Sequence, residues 1–275
     1  MAIKTGDYGE IAPSFQQLKI PIFMRDPVYV AFATQKGGAG KSTLTTLVAS
    51  YLYYVEGIDV AVVDCDDPQH SLNIYREHDL LVTKENPYLK RVMHRFYSKF
   101  KKKMYKIILT SPEDAIAVAD NYIDEKPETK VVFFDITGTV NNHAIINLIS
   151  KMDYIFVPIT TETGEMASSI SFANNVNNRM ITTGKTSIKG LYLVWNKIKT
   201  REKPNLCEII DKYVAKLGLD SLNTVLVNSS KFEKDGREIG SAGIFRSTVL
   251  PPDKRLIKGS NLEELVAEIR GKINV

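Results

Sequence analysis

An apolar run, Val28–Thr34, passes directly into Gln35-Lys36-Gly37-Gly38-Ala39-Gly40, and Lys41-Ser42-Thr43 then heads an amphipathic stretch reaching Val55. Few folds accommodate that order. A strand covered on both faces must end, the backbone must turn through conformations open to glycine, and a helix must begin at a lysine. Such a loop cradles phosphate. Its glycines let backbone N–H groups approach oxygens closely, and the helix N-terminus adds partial positive charge. Lys41 is placed to reach β- and γ-phosphates, the Ser42 hydroxyl to ligate magnesium, and Thr43 to meet the α-phosphate. A dinucleotide fingerprint fits less well, because Thr43 stands where its third glycine belongs.

The rest of the chain repeats short apolar runs between longer amphipathic ones, the pattern of βα units around a parallel sheet. Strands are expected at Val28–Thr34, Val60–Asp64, Lys106–Thr110, Val131–Asp135, Tyr154–Pro158, Gly190–Trp195 and Thr224–Val227. Helices are expected at Lys41–Val55, Pro112–Tyr122, Asn141–Ser150, Glu165–Ile181, Asn205–Leu217 and Ser260–Ile269, the last opened by a Ser260/Glu263 capping box. The predicted fold is a single α/β domain over 28–275, a doubly wound, mostly parallel sheet flanked by helices in the P-loop NTPase manner. Residues 1–27, with three prolines, read as an N-terminal extension. Two distant cysteines, Cys65 and Cys207, exclude a disulfide framework and give no zinc spacing, which fits a reducing cytoplasm. No run approaches the roughly 20 apolar residues of a membrane span.

The string KGGAGKST resembles the deviant Walker A box of the ParA/MinD ATPases of the SIMIBI class. That resemblance implies ATP and Mg2+ as cofactors, held by Gly37, Gly38, Ala39, Gly40, Lys41, Ser42 and Thr43. It also implies a homodimer on ATP binding, with Lys36 crossing to the partner's phosphates. Val60–Gln69 resembles the Walker A′ box, with Asp64 and Asp66 matched to its acidic pair and one additional acid before Pro68. Asp66 is the candidate for orienting the attacking water and Asp67 the alternative. Val131–Asp135 resembles Walker B. Ser42, Asp64 and Asp135 are thus the implied magnesium residues, and Lys36, Lys41 and Asp66 the catalytic set. Asn196, ending the strand from Leu191, matches a frequent adenine contact in the family, with strand-end turn as the plain alternative. Val249, Leu250 and Pro251 are placed to line adenine from the other side.

Charge is concentrated in one place. Residues 84–106 hold nine cations and a single acid, Glu85, so the segment carries +8 and the remainder of this +4 chain −4. Leu89, Val92, Phe96 and Phe100 recur at helical spacing as a core face, and Arg91, Arg95, Lys99 and Lys102 form another stripe. A basic amphipathic helix suits a DNA backbone, an anionic membrane or an acidic partner, and is otherwise a solvated face. DNA held this way would be bound without regard to sequence.

The leading expectation is a ParA-like ATPase that switches dimerisation and nonspecific DNA binding, answering to a ParB-like or conjugation-machinery activator. The phrases TQKGGAGKST, AVVDCDDPQHS and GSNLEELVAEI resemble the TraA type of conjugative transposons. The alternatives are a MinD-like membrane-cycling ATPase, an iron–sulfur carrier and a small-molecule ATP-dependent ligase. Glu263, Glu264 and Glu268 in the C-terminal helix speak against a cationic membrane anchor. The two cysteines are not spaced as a cluster-binding pair.

Overall fold

The computed structural model describes residues 27–66, 69–136, 142–199, 204–228 and 243–275. Apart from Pro27, the expected N-terminal extension lies outside these residues, as do Asp67, Pro68 and the loop after Ile136. Seven strands form one parallel sheet in the order β3-β2-β4-β1-β5-β6-β7. They are β1 Val28–Phe32, β2 Val60–Asp64, β3 Lys106–Leu109, β4 Val131–Asp135, β5 Tyr154–Ile159, β6 Gly190–Trp195 and β7 Asp220–Ser221. The helices are α1 Lys41–Tyr54, α2 Ser71–Glu85, α3 Pro87–Phe100, α4 Ala115–Glu125, α5 His143–Ser150, α6 Thr163–Val176, α7 Pro204–Lys216, α8 Lys254–Ile257 and α9 Leu262–Ile273; a π-turn, Asn177–Ile181, extends α6.

Strand alternation divides the core in two. Phe32, Phe133 and Phe156 point to one face, where α1 and the α9 residues Leu265, Val266 and Ile269 cover them. Ala31, Phe134 and Trp195 point to the other, packed with Ile145, Leu148 and Phe172 from α5 and α6. β2 and β4 are buried at every position, as continuous apolar runs in a doubly covered parallel sheet should be.

Four expectations need correction. The last strand is Asp220–Ser221, and the expected Thr224–Val227 forms only in part: the N–H groups of Asn223 and Thr224 donate to the Glu268 carboxylate, each at 2.8 Å, and the chain rejoins the sheet at Leu226, whose N–H donates to Trp195 O at 2.9 Å, and at Val227, which bridges Ile198. The Ser260/Glu263 capping box does not form. The Ser260 hydroxyl accepts from Leu262 N at 3.2 Å, and Glu263 accepts instead from the Tyr51 hydroxyl at 3.1 Å. In α3, Leu89 is buried and Phe96 half-buried, but Phe100 at the helix end is 51% exposed. Finally, α2 was not anticipated. Its buried residues are Leu72, Asp79, Val82 and Thr83, and two polar members break the apolar period that marks a helix.

Those polar members are tied down. The buried Asp79 carboxylate accepts from both the N–H and the hydroxyl of Thr248, at 2.6 and 2.7 Å. Arg76, one turn earlier, donates to the Thr248 hydroxyl and carbonyl and to the Tyr105 carbonyl. The segment 244–250 is thereby strapped to α2, and Tyr54 and Tyr97 add hydroxyl bonds to the Thr248 and Val249 carbonyls at 2.8 and 2.7 Å. Replacing Asp79 by Ala strands a buried N–H and a hydroxyl, so we expect a loss of about 2–3 kcal/mol. Urea unfolding should show a lower midpoint at unchanged slope, and Asp79→Asn, which keeps an acceptor, should lose less.

Candidate nucleotide site

The glycine loop sits at the carboxyl end of β1, beside the ends of β4 and β5, where the order of connection reverses. Gly38 and Gly40 have φ of 93° and 92°, the left-handed region that favours glycine. At Gly40 a side chain is excluded twice over, since a Cβ would lie 2.5 Å from the Asn196 amide nitrogen. Gly40 is also the N-cap of α1 and has no side chain to cap with, so the first-turn N–H groups are left for an external acceptor.

The end of β6 fixes the loop's orientation. Asn196 Nδ2 donates to the Ala39 carbonyl at 2.8 Å, and Lys197 Nζ donates to the Gly38 carbonyl at 2.6 Å. In a trans peptide the N–H points opposite to the carbonyl, so the Ala39 and Gly40 amides are turned away from β6, as an anion nest requires. Asn196 is buried, and its Oδ1 accepts from Lys197 N at 2.9 Å. The structure thus gives Asn196 a buttressing role at the loop. Sequence reasoning missed Lys197, a non-glycine residue at φ 59° that no residue-type pattern reveals.

The acids converge on the same end of the sheet. Asp64 and Asp135 are partners in register on β2 and β4. Asp64 is buried, with Oδ2 accepting from Leu72 and Asn73 N at 3.0 and 3.3 Å and Oδ1 from Asp66 N at 3.2 Å. Both oxygens serve α2 and the turn before it. Asp135 is the contrary case. It is buried, and among the described residues neither of its oxygens has a partner in regular hydrogen-bond geometry. Burial pushes its carboxyl up to about 7, and Asp64 and Asp66 push the same way. The nearby Ser42 hydroxyl and Lys41 ammonium pull it back. An orphaned buried carboxylate beside a loop hydroxyl fits a divalent cation.

Burial lowers the Lys41 ammonium, with Asp135 and then Asp66 opposing. Burial likewise raises Asp66, against Lys41. One lysine and two acids therefore act on one another beside the glycine loop. Asp67, the alternative to Asp66, lies outside the described residues.

The remaining candidates are spread out. Lys36 is half-exposed and lies 3.8 Å from Glu162. Glu162 itself caps α6 by accepting from Glu165 N at 2.6 Å. Val249 and Leu250 are buried with Val82, Leu89 and Ile244 under the α2–α3 hairpin, which takes them out of the adenine-lining role expected beside Pro251; Pro251 follows half-buried. Arg91, Arg95 and Lys99 are exposed along α3. Lys102 does not continue that stripe. The helix ends at Phe100, and Lys102 Nζ donates to Gly57 O at 3.0 Å and Asp59 Oδ1 at 2.9 Å over the Tyr53 ring.

The sign of the Asp135 shift sets a pH dependence for the protein stripped of metal and nucleotide. A carboxyl whose folded pKa is raised binds its proton more tightly in the fold. Stability should therefore fall as pH rises from about 4 to about 7, by at most roughly 1.4 kcal/mol per unit, and level off above. Melting curves of Asp135→Asn against wild type in chelator should show this slope only in wild type. Equal slopes would show that Asp135 does not titrate there.

The comparisons with known proteins follow the same geometry. No functionally curated protein is similar enough in sequence to stand as a relative. Among solved structures the chain resembles the cell division ATPase MinD of Pyrococcus furiosus, at 14% identity and TM-score 0.57, over 89% of this chain and 98% of that one. It resembles pNOB8 ParA at 13% identity and TM-score 0.58, over 90% and 99%. It also resembles the ATP complex of a Cyanothece McdA variant at 14% identity and TM-score 0.56, over 90% and 97%. These likenesses establish the fold. Residues 30–241 match the family model of the CobQ/CobB/MinD/ParA nucleotide-binding domain, and with a nucleotide loop built as described, the chain belongs to that family.

Proposed function

We propose that this chain is a ParA-like ATPase that closes as a homodimer around ATP and, when closed, binds DNA without regard to sequence. The observation that carries this reading is the division of labour between the two loop lysines. Lys41 is drawn in beside Asp135 and Asp66. Lys36 stays outside, in an exposed contact with Glu162 at 3.8 Å. Such a pair is worth at most about 1 kcal/mol, so Lys36 can leave it for a phosphate presented by a second copy.

In this reading the Ala39 and Gly40 amides, the α1 N-terminus and Lys41 hold the phosphates, while Thr43 meets the α-phosphate. Magnesium, held by Ser42 and Asp135, would neutralise phosphate charge when bound. Asp66 orients a water in line with the γ-phosphorus. The water oxygen bonds to that phosphorus, the bond to the β,γ-bridging oxygen breaks, and ADP and inorganic phosphate result. Lys36 supplied in trans offsets the charge of two apposed triphosphates. Arg91, Arg95 and Lys99 form the exposed basic face for DNA, and activation by a ParB-like or conjugation-machinery protein completes the cycle of what would be a ParA-like protein of the TraA type. The membrane-cycling alternative draws no support from α9, whose Leu262, Leu265, Val266, Ile269 and Ile273 are all buried. Among the described residues, no helix is long and apolar enough to cross a membrane.

Lys41→Ala should lose ATP binding. Lys36→Ala should keep ATP affinity within about threefold yet lose the ATP-dependent dimer in light scattering. An ATP-dependent dimer persisting in Lys36→Ala would remove the role in trans.

Reversing charge at Arg91, Arg95 and Lys99 together should weaken duplex DNA binding and flatten its salt dependence by about 0.9 log units per lost contact. Unchanged binding would return α3 to a solvated face.

A further inference from the structure

Below the exposed basic face of α3 lies a second feature, a cleft of about 570 Å³ between the α2–α3 hairpin and the edge strand β3. Its floor is apolar, formed by Leu80, Met93, Met104 and Ile107, and Lys103 and Lys106 stand at its rim. Leu80 and Met104 are 38% and 37% exposed. β3 ends the sheet, so one side of its backbone has no strand beside it among the described residues. Thr110 N donates inward to Asp64 O at 3.2 Å, and alternation along a parallel ladder turns the Ile107 and Leu109 amides outward.

We propose that this cleft is a docking groove for an extended segment of a partner protein that alternates acidic with apolar residues. An added strand would bond the outward amides of β3. Its apolar residues would cover the methionine-rich floor, which adapts readily to shape. Its acids would meet Lys103 and Lys106 within a segment that carries nine cations against one acid. Nucleic acid is the poorer occupant. Phosphates gain nothing from the apolar floor, and the two tyrosines of the cleft offer no open ring for a base. Tyr105 is buried, and the half-buried Tyr97 is bonded through its hydroxyl to Tyr54 and Val249. The groove stands apart from the ATP-driven cycle proposed above and does not depend on it.

The test uses the full chain and three fluorescent probes, a peptide of alternating Glu and Leu, a polyglutamate peptide of equal charge, and a short DNA duplex. We expect the alternating peptide to bind at least about tenfold more tightly than polyglutamate and to slow hydrogen exchange across residues 103–109. Met104→Glu, and separately Lys103→Glu with Lys106→Glu, should each weaken that peptide about tenfold while leaving the melting temperature and ATP binding unchanged. Equal binding of the two peptides, no protection of β3 in the wild-type chain, or protection of β3 by the duplex alone would each overturn the proposal.

Discussion

Three carboxylates, Asp64, Asp66 and Asp135, gather at the carboxyl ends of β2 and β4 with one buried ammonium, Lys41, facing them. That imbalance governs the site. The sheet brings Asp64 and Asp135 into register, and nothing in the fold can separate them without breaking the β2–β4 ladder. The repulsion is relieved in two different ways. Asp64 is neutralised by backbone N–H groups at the head of α2, a helix terminus with partial positive charge. Asp135 has no such partner among the described residues, and burial makes it hold its proton more tightly. Asp64 is therefore bonded to α2, while Asp135 is left without a regular hydrogen-bond partner among the described residues, although both end buried apolar strands.

The phosphate loop is oriented from outside itself. Its own residues are too small to hold a shape, and the carbonyls of Gly38 and Ala39 are fixed by Lys197 and Asn196 on a neighbouring strand. Thr160 and Glu165 add a second support, for Thr160 Oγ1 donates to Glu165 at 2.8 Å and Glu165 closes against Gly38. A nest of amides is useful only if it is in place before the anion arrives, and these tethers supply that preorganisation.

Much of this was legible in the sequence. Six of the seven strands announce themselves because a doubly covered strand must be apolar throughout, and the loop is readable because glycines and Lys-Ser-Thr have few other reasons to follow such a strand. The illegible parts have physical causes. Asp64 reads the same at a strand end whether it meets a metal or a helix terminus. Lys197 acts through a left-handed backbone that residue type does not encode. α2 hides because its inner face carries two polar residues, Thr83, which bonds back to the Asp79 carbonyl, and Asp79, whose carboxylate partner Thr248 lies 169 residues away in sequence. The expected seventh strand is interrupted because Glu268, on a helix far along the chain, takes the amides of Asn223 and Thr224.

The same long-range partners explain why the basic hairpin is bound to the nucleotide site. α2 is held at its first turn by Asp64 and in its middle by Thr248, through Arg76 and Asp79. Its 15 residues make a rod of about 22 Å. Asp66 precedes that rod directly, with its carbonyl accepting from His70 N at 2.6 Å. α3 hangs from the far end, where the Asn86 side chain caps it by accepting from Tyr88 and Leu89 N. A close-packed rod tied at two points cannot absorb a shift at Asp66 by bending locally. Asp79, one of the two buried polar residues that conceal α2 in the sequence, thus helps to fix the basic hairpin against the 244–250 strap.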